Sequence, residues 1–212
     1  MLALINKLRR YRWGLIGRNQ IKKLVRLKHQ QGQAIKIILG SSDHNALNGE
    51  WINTDIPQFD ITDAKHWASI FGEAKIENLF AEHVMEHLSK DQIIQALNLA
   101  KTYLKDNGVF RIAIPDSNNQ DAIYREATRP GGSGPGAHDH KVFLNLKDFE
   151  ALSVDSGFSL VPLEYCDEKG AFHFTPFDTK NGDVQRSKNK NYHYPEVPAY
   201  TSLVIDLIKP AK

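Results

Sequence analysis

Apolar and polar positions along the chain fall into short buried runs separated by helical stripes. Ile76, Leu79, Phe80 and Ala81 suit a buried strand, and Glu82, His83, Glu86 and His87 crowd in where it would stop. Ser89 and Gln92 then stand at capping-box spacing, and Ile93, Leu97, Ala100 and Leu104 repeat at helical spacing. Gly108 closes that helix, and Val109 to Ile114 reads as the next strand, ending at Pro115-Asp116. Strand, polar tip, helix, glycine and strand make a βαβ unit. Ligands of open α/β sheets sit outside the carboxyl ends of strands, so the polar tip is well placed to face one.

The same reading extends along the chain. Met1, Leu4, Ile5, Leu8 and Tyr11 predict a first amphipathic helix punctuated by Gly14 and Gly17, with a second over about Asn19 to Gln31. Ala34 to Leu39 is the first sheet strand, ending at Gly40. Trp51 to Ile56 is the second, closed by Pro57, and Phe59 to Thr62 is a short third. Asp63 to Phe71 is a helix with Trp67, Ile70 and Phe71 inward, and another helix lies near Asn118 to Thr128. Arg129 to His140, with four glycines and two prolines, is a loop. Asn145 caps a helix that Gly157 ends, and Phe158 to Tyr165 and Tyr200 to Lys209 are the last strands. Residues 167–199 between them are polar, Tyr/His-rich and weakly periodic, an unusually long excursion for a hairpin. Domain organisation follows: residues 1–33 are a helical extension and residues 34–212 one α/β domain.

Charge sharpens this division. Residues 1–36 hold ten Lys/Arg and no Asp/Glu, while the remainder carries seventeen basic and twenty-five acidic residues. A basic leader on an acidic body points to an anionic partner. Packing on the sheet edge is the first reading of residues 1–28, and weak contact with an anionic membrane surface or a protein is the second. Nucleic acid ranks lower, because the aromatics there are only Tyr11 and Trp13 and no binding-module motif is present. No apolar run approaches the roughly 20 residues of a membrane span. Cys166 is the single cysteine, which excludes an internal disulfide and fits a reducing, cytoplasmic setting.

Four pieces stand in order: Ile37-Ile38-Leu39-Gly40, Gly49 to Asp55, His83 to Leu88, and Leu104 to Asp116. Together they resemble the class I S-adenosylmethionine-dependent methyltransferases, in particular small members with an HVLEHL-type string. The resemblance covers roughly residues 36–116 and, less sharply, the rest. It implies a Rossmann-like α/β fold with a single, mostly parallel seven-stranded sheet and an antiparallel C-terminal strand. It implies S-adenosyl-L-methionine as cofactor and methyl transfer to a small-molecule or glycan acceptor, with a sugar or cell-surface glycan precursor hydroxyl suggested by the family. A non-catalytic cofactor-binding or scaffold protein with this fold is the alternative.

Candidate residues follow from the strand ends. Gly40, Ser41 and Ser42 form the turn after the first strand, where small residues let backbone N–H groups approach a ligand; the family usually has two or three alternating glycines there. That turn also lacks the G-x-G-x-x-G of an NAD(P)-dependent oxidoreductase. Asp55, at the end of the second strand, matches an aspartate that binds the cofactor ribose in the family, against an Asx turn before Pro57. Asp60 and Ile61 match its adenine contacts, against a helix N-cap at Thr62 or Asp63. On this resemblance, Glu82 and His83 fall beside where the methionine part of the cofactor would sit. Methyl transfer mainly needs alignment, and an oxygen acceptor benefits from a base. His83, His138 and His140 are the candidates for it, with Asp116 as an alternative. The glycine-rich loop before His138 is placed to close over the acceptor. Glu82-His83-x-x-Glu86-His87 is not the HExxH order and shows no evident third ligand, so no metal is expected; one of these histidines should support the structure by hydrogen bonding.

Overall fold

The structure is a computed structural model. It describes the backbone of residues 2–41, 50–190 and 201–211, and side chains from residue 12 onward among these. Its elements in chain order are α1 (Leu2–Gln30), β1 (Lys36–Leu39), β2 (Trp51–Asn53), α2 (Ala64–Phe71), β3 (Ile76–Glu82), α3 (Lys90–Tyr103), β4 (Leu104–Ile114), α4 (Ala122–Thr128), α5 (Leu146–Ser156), β5 (Ser159–Cys166), β6 (Phe172–Phe174) and β7 (Leu203–Ile208). The strands form one seven-stranded sheet in the order β2-β1-β3-β4-β7-β5-β6. Neighbours from β2 through β4 are parallel, and β7 inserts antiparallel between β4 and β5. The mostly parallel α/β sheet with a reversed last strand is therefore as the sequence predicts.

Alternation along the strands builds two cores. Ile37 and Leu39 of β1, Leu79 and Ala81 of β3, Phe110, Ile112 and Ile114 of β4, and Leu203, Ile205 and Leu207 of β7 face the helices α1, α2, α3 and α5. Trp67, Ile70 and Phe71 of α2 point inward as expected. The expected capping box forms at Ser89 with Gln92, the expected cap at Asn145 is completed into a second box by Asp148, and Gly157 ends α5 in the left-handed conformation.

The opposite face carries Ile38, Trp51, Phe80, Ala113, Leu163 and Val204. Among the described residues its apolar cover is Val184 and Phe177, both from the long excursion before β7. Polar residues on this face hold the excursion down. Arg111 donates to the carbonyls of Asp178 and Gly182 at 2.7 and 2.9 Å, and Asn78 donates to Asn181 at 2.9 Å. Phe177 lies under the Arg111 guanidinium, 4.7 Å from ring centre to carbon. The excursion thus does for this face what helices do for the other.

Four sequence expectations need correction. The helix expected to close at Gly108 ends at Tyr103, and β4 runs on directly from Leu104. The N-terminal segment is one helix, with no break at Gly14 or Gly17. Those glycines mark where the helix crosses the turn after β2: a Cβ on Gly14 would stand 2.9 Å from the Pro57 carbonyl oxygen, and one on Gly17 would run into Gln58. Farther along, Ile21 and Val25 enter the main core. The strand over Phe59 to Thr62 does not form. The Asp60 carboxylate instead takes the Thr62 N–H and hydroxyl at 2.9 and 2.7 Å, an Asx turn that competes with pairing. The seventh strand is β6, added at the other edge. Finally, β2 stops at Asn53, since the Asp55 carbonyl accepts the N–H groups of both Gln58 and Phe59 and turns the chain. No described helix is long and apolar enough to cross a membrane.

Candidate functional site

The chain leaves β1 toward β2 on one side and later returns to β3 on the other. Such a reversal opens a crevice at the carboxyl ends of the strands, where open α/β sheets take ligands. Gly40 follows β1 at this point with φ of 61°, a conformation that favours glycine. The room beside its Cα is filled by Val84, whose methyl would lie 2.5 Å from a Cβ. Ser41 is buried, and its N–H bonds the Thr54 carbonyl at 3.0 Å, joining the ends of β1 and β2. Ser42 lies outside the described residues. Asp55 is half-buried; its Oδ1 accepts the Ile56 N–H at 2.7 Å, and its Oδ2 has no partner among the described residues. That oxygen suits a ligand hydroxyl.

Glu82, across the crevice at the end of β3, is already engaged. Its carboxylate accepts the Gln185 N–H at 3.0 Å and the Arg186 N–H at 2.8 Å, so the excursion is pinned to the strand tip. Asp60 and Ile61 serve the fold: Asp60 makes the Asx turn, and Ile61 is buried with its carbonyl accepting the Trp67 indole N–H at 2.8 Å.

Beyond the tip, His83 adopts φ of 54°, a left-handed conformation rare for a residue with a side chain. Its Nε2 lies 3.1 Å from the Ser202 hydroxyl and its Nδ1 2.9 Å from Glu86 Oε1. Met85 to His87 form one 3₁₀ turn that buries Glu86. Burial alone would raise the Glu86 carboxyl. The charge and hydrogen bonding of His83, with its own backbone and His87, instead hold it below the ordinary value.

The glycine-rich loop brings His140 to the same carboxylate. Gly132 and Gly134 pack so closely on the Glu126 and Ala127 carbonyls that a Cβ would clash, which folds the loop back on the end of α4. Lys141 N–H then bonds the Glu86 carbonyl at 2.8 Å. His140 Nδ1 sits 2.7 Å from the Thr128 carbonyl, and its Nε2 is 4.0 Å from Glu86 Oε1. Burial lowers the His140 pKa, with His87 and His83 adding to the effect against the Thr128 bond and Glu86. His87 packs edge-on against His140, ring centres 4.8 Å apart, and its Nδ1 is 3.4 Å from Asp139. The sequence expectation of no third ligand near Glu86 and His87 therefore does not hold: His140 supplies a further nitrogen.

The other expected residues stand apart. His138 is exposed. Asp116 is buried, and its carboxylate accepts the N–H groups of Asn118 and Cys166 at 2.9 and 2.6 Å. Burial raises its pKa. The sequence reading missed Gln185, Arg186 and Ser202, which act through backbone or a small hydroxyl from over 100 residues away and carry no local signal. Asp139 was visible between two histidines.

No protein-family model matches the chain, and no curated protein matches it. Solved structures do. A SAM-dependent methyltransferase from Archaeoglobus fulgidus superposes with a TM-score of 0.51 at 14% identity, covering 91% of this chain and 94% of its own. Magnesium protoporphyrin IX methyltransferase from Synechocystis PCC 6803, solved with bound SAH, covers 92% of this chain and 84% of its own at a TM-score of 0.43 and 9% identity. Identities this low speak to architecture alone. With its strand order and reversed β7, the chain has the fold of the class I S-adenosylmethionine-dependent methyltransferases.

Proposed function

We propose that the chain binds S-adenosylmethionine in the crevice between the ends of β1, β2 and β3 and transfers its methyl group to an oxygen acceptor. The observation that carries this is the Asp55 oxygen without a partner among the described residues, beside the Gly40-Ser41 turn at the sheet's reversal point. Asp55 would hold the ribose hydroxyls, and the small Gly40-Ser41 turn would leave room beside it for the rest of the cofactor. The cofactor supplies a sulfonium methyl group. The acceptor oxygen would take that methyl as the carbon–sulfur bond breaks, and its proton would pass to a base of this chain. His83, held by Glu86 and Ser202 at the strand tip, is the base we favour. A sugar or glycan precursor hydroxyl is the acceptor class suggested by the sequence resemblance.

One observation favours a second reading, a cofactor-binding or scaffold protein without turnover: Glu82 is occupied by the excursion and Val84 fills the space beside Gly40. Calorimetric titration with S-adenosylmethionine, S-adenosylhomocysteine and NAD in parallel tests binding. We expect the first two to bind, NAD to be silent, and folded Asp55→Ala to bind about 10- to 100-fold more weakly. Absence of binding at millimolar S-adenosylhomocysteine overturns both readings. Binding without methylation across sugar and glycan acceptors favours the second.

A further inference from the structure

Glu86, His87 and His140 each bring a ligand atom within 4.8 Å of the other two. We infer that these three side chains form a binding site for a divalent first-row transition-metal ion, with Zn²⁺ as its simplest probe. The donor set is two imidazole nitrogens and one carboxylate oxygen. Such a set suits borderline ions and disfavours Mg²⁺ or Ca²⁺, which prefer all-oxygen shells.

Burial supplies an independent reason. The Glu86 side chain is 2% exposed, and among the described residues its one side-chain hydrogen-bond partner is His83, at Oε1. A buried carboxylate so sparsely paired is costly unless positive charge meets it. Oε1 also stands 4.0 Å from His140 Nε2, so an ion held between Glu86 and the two histidines would add that charge.

The outer contacts match those that orient metal-binding histidines. The Thr128 carbonyl can only accept, so His140 Nδ1, at 2.7 Å, carries the hydrogen and Nε2 keeps its lone pair toward Glu86. His87 Nδ1 faces the Asp139 carboxylate at 3.4 Å, which leaves Nε2 to bind. Donors around tetrahedral Zn²⁺ stand about 3.3 Å apart, given bonds of roughly 2.0–2.1 Å. The present separations close to that with side-chain shifts of about 1 Å. His87 is the exposed member, at 31%, against 6% for His140. An ion here would therefore have two deep ligands and a side open to water or a small oxygen ligand, the layout of three-ligand reactive sites. The inference stands on this geometry alone and not on methyl transfer.

The test is Zn²⁺ and Co²⁺ titration of the full chain after chelator treatment, read by calorimetry and by the visible spectrum of Co²⁺. We expect one equivalent to bind. His87→Gln and His140→Gln should each weaken it by at least about tenfold, and Asp139→Asn by about tenfold. Exposed His138→Gln should leave affinity unchanged, with circular dichroism reporting the fold of every variant. Lack of stoichiometric binding, undiminished binding in folded His87→Gln, or an equal loss in His138→Gln overturns the site. S-adenosylhomocysteine is absent throughout, so the result is separate from that of the cofactor titration.

Discussion

Asp206 grips Arg111 with both carboxylate oxygens, Nε to Oδ1 at 2.8 Å and Nη2 to Oδ2 at 2.9 Å, directly across the β4–β7 pair. Both side chains are buried. Arg111→Met should destabilise by about 3–5 kcal/mol, because it strands a buried carboxylate. Replacing both, as Arg111→Met with Asp206→Leu, should cost less than the two single changes added together. Urea unfolding of the four proteins measures this. Simple additivity would mean that the pair is not coupled.

The Glu82 carboxylate anchors the excursion through two N–H groups. Glu82→Ala removes charge-assisted bonds worth about 1.5–3 kcal/mol. The amides of Gln185 and Arg186 should then exchange with solvent roughly 10- to 100-fold faster, while those of β3 and β4 change little. Unchanged exchange at these two amides would mean that other contacts hold the segment.

Glu164 is fully buried, and that burial lifts its carboxyl to about 6 from an ordinary 4.5, against the opposing pull of the Lys188 N–H, the Ser187 hydroxyl and the Lys188 charge. The folded state therefore prefers the proton. Its contribution is fully present below the ordinary pKa and is lost as pH rises through about 6, costing about 2 kcal/mol. Glu164→Gln should flatten this part of the profile. Comparing urea midpoints at pH 4.5 and 7.5 checks it, and parallel profiles for the two proteins would remove Glu164 as the cause.

Gly14 sits against the Pro57 carbonyl, which cannot step aside, whereas Gly17 sits against the flexible Gln58 side chain. Gly14→Val should lower stability by about 1–3 kcal/mol. Gly17→Ala should be nearly neutral, since helix propensity returns about 1 kcal/mol. Thermal melting ranks the two, and the reverse order would mean that α1 does not cross the turn at Gly14.

Burial pushes the Cys166 thiol up to about 12, with Asp116 and Asp167 adding to it. So little thiolate exists at pH 8 that iodoacetamide should label the folded protein far more slowly than the unfolded chain. Equal labelling rates would mean that the thiol is accessible and ionised.

Much of the fold was legible because its signals are local. The caps at Ser89 and Asn145, the glycine after α5 and the stripe of α2 each lie within a few residues of the structure they specify. Gly14 and Gly17 misled because a glycine reads alike whether it breaks a helix or admits a neighbour. Arg111 and Asp206 are lone charges inside apolar strands, and neither position names its partner. The site was legible in part for the same reason. Glu82 to His87 stand together in sequence, while His140 reaches Glu86 only because a glycine-rich loop folds back on α4.

The insertion of β7 between β4 and β5 also sets an order of events during synthesis. Val204 and Asp206 are the floor on which residues 177–184 rest, and Asn181 bonds Asp206 directly. Until the ribosome has released β7, Ile38, Phe80 and Ala113 form an apolar strip on an already paired set of strands with nothing to cover it. At about 5–20 residues per second that wait runs to on the order of ten seconds. The exposed strip of the half-made sheet is thus closed by the arrival of one six-residue strand.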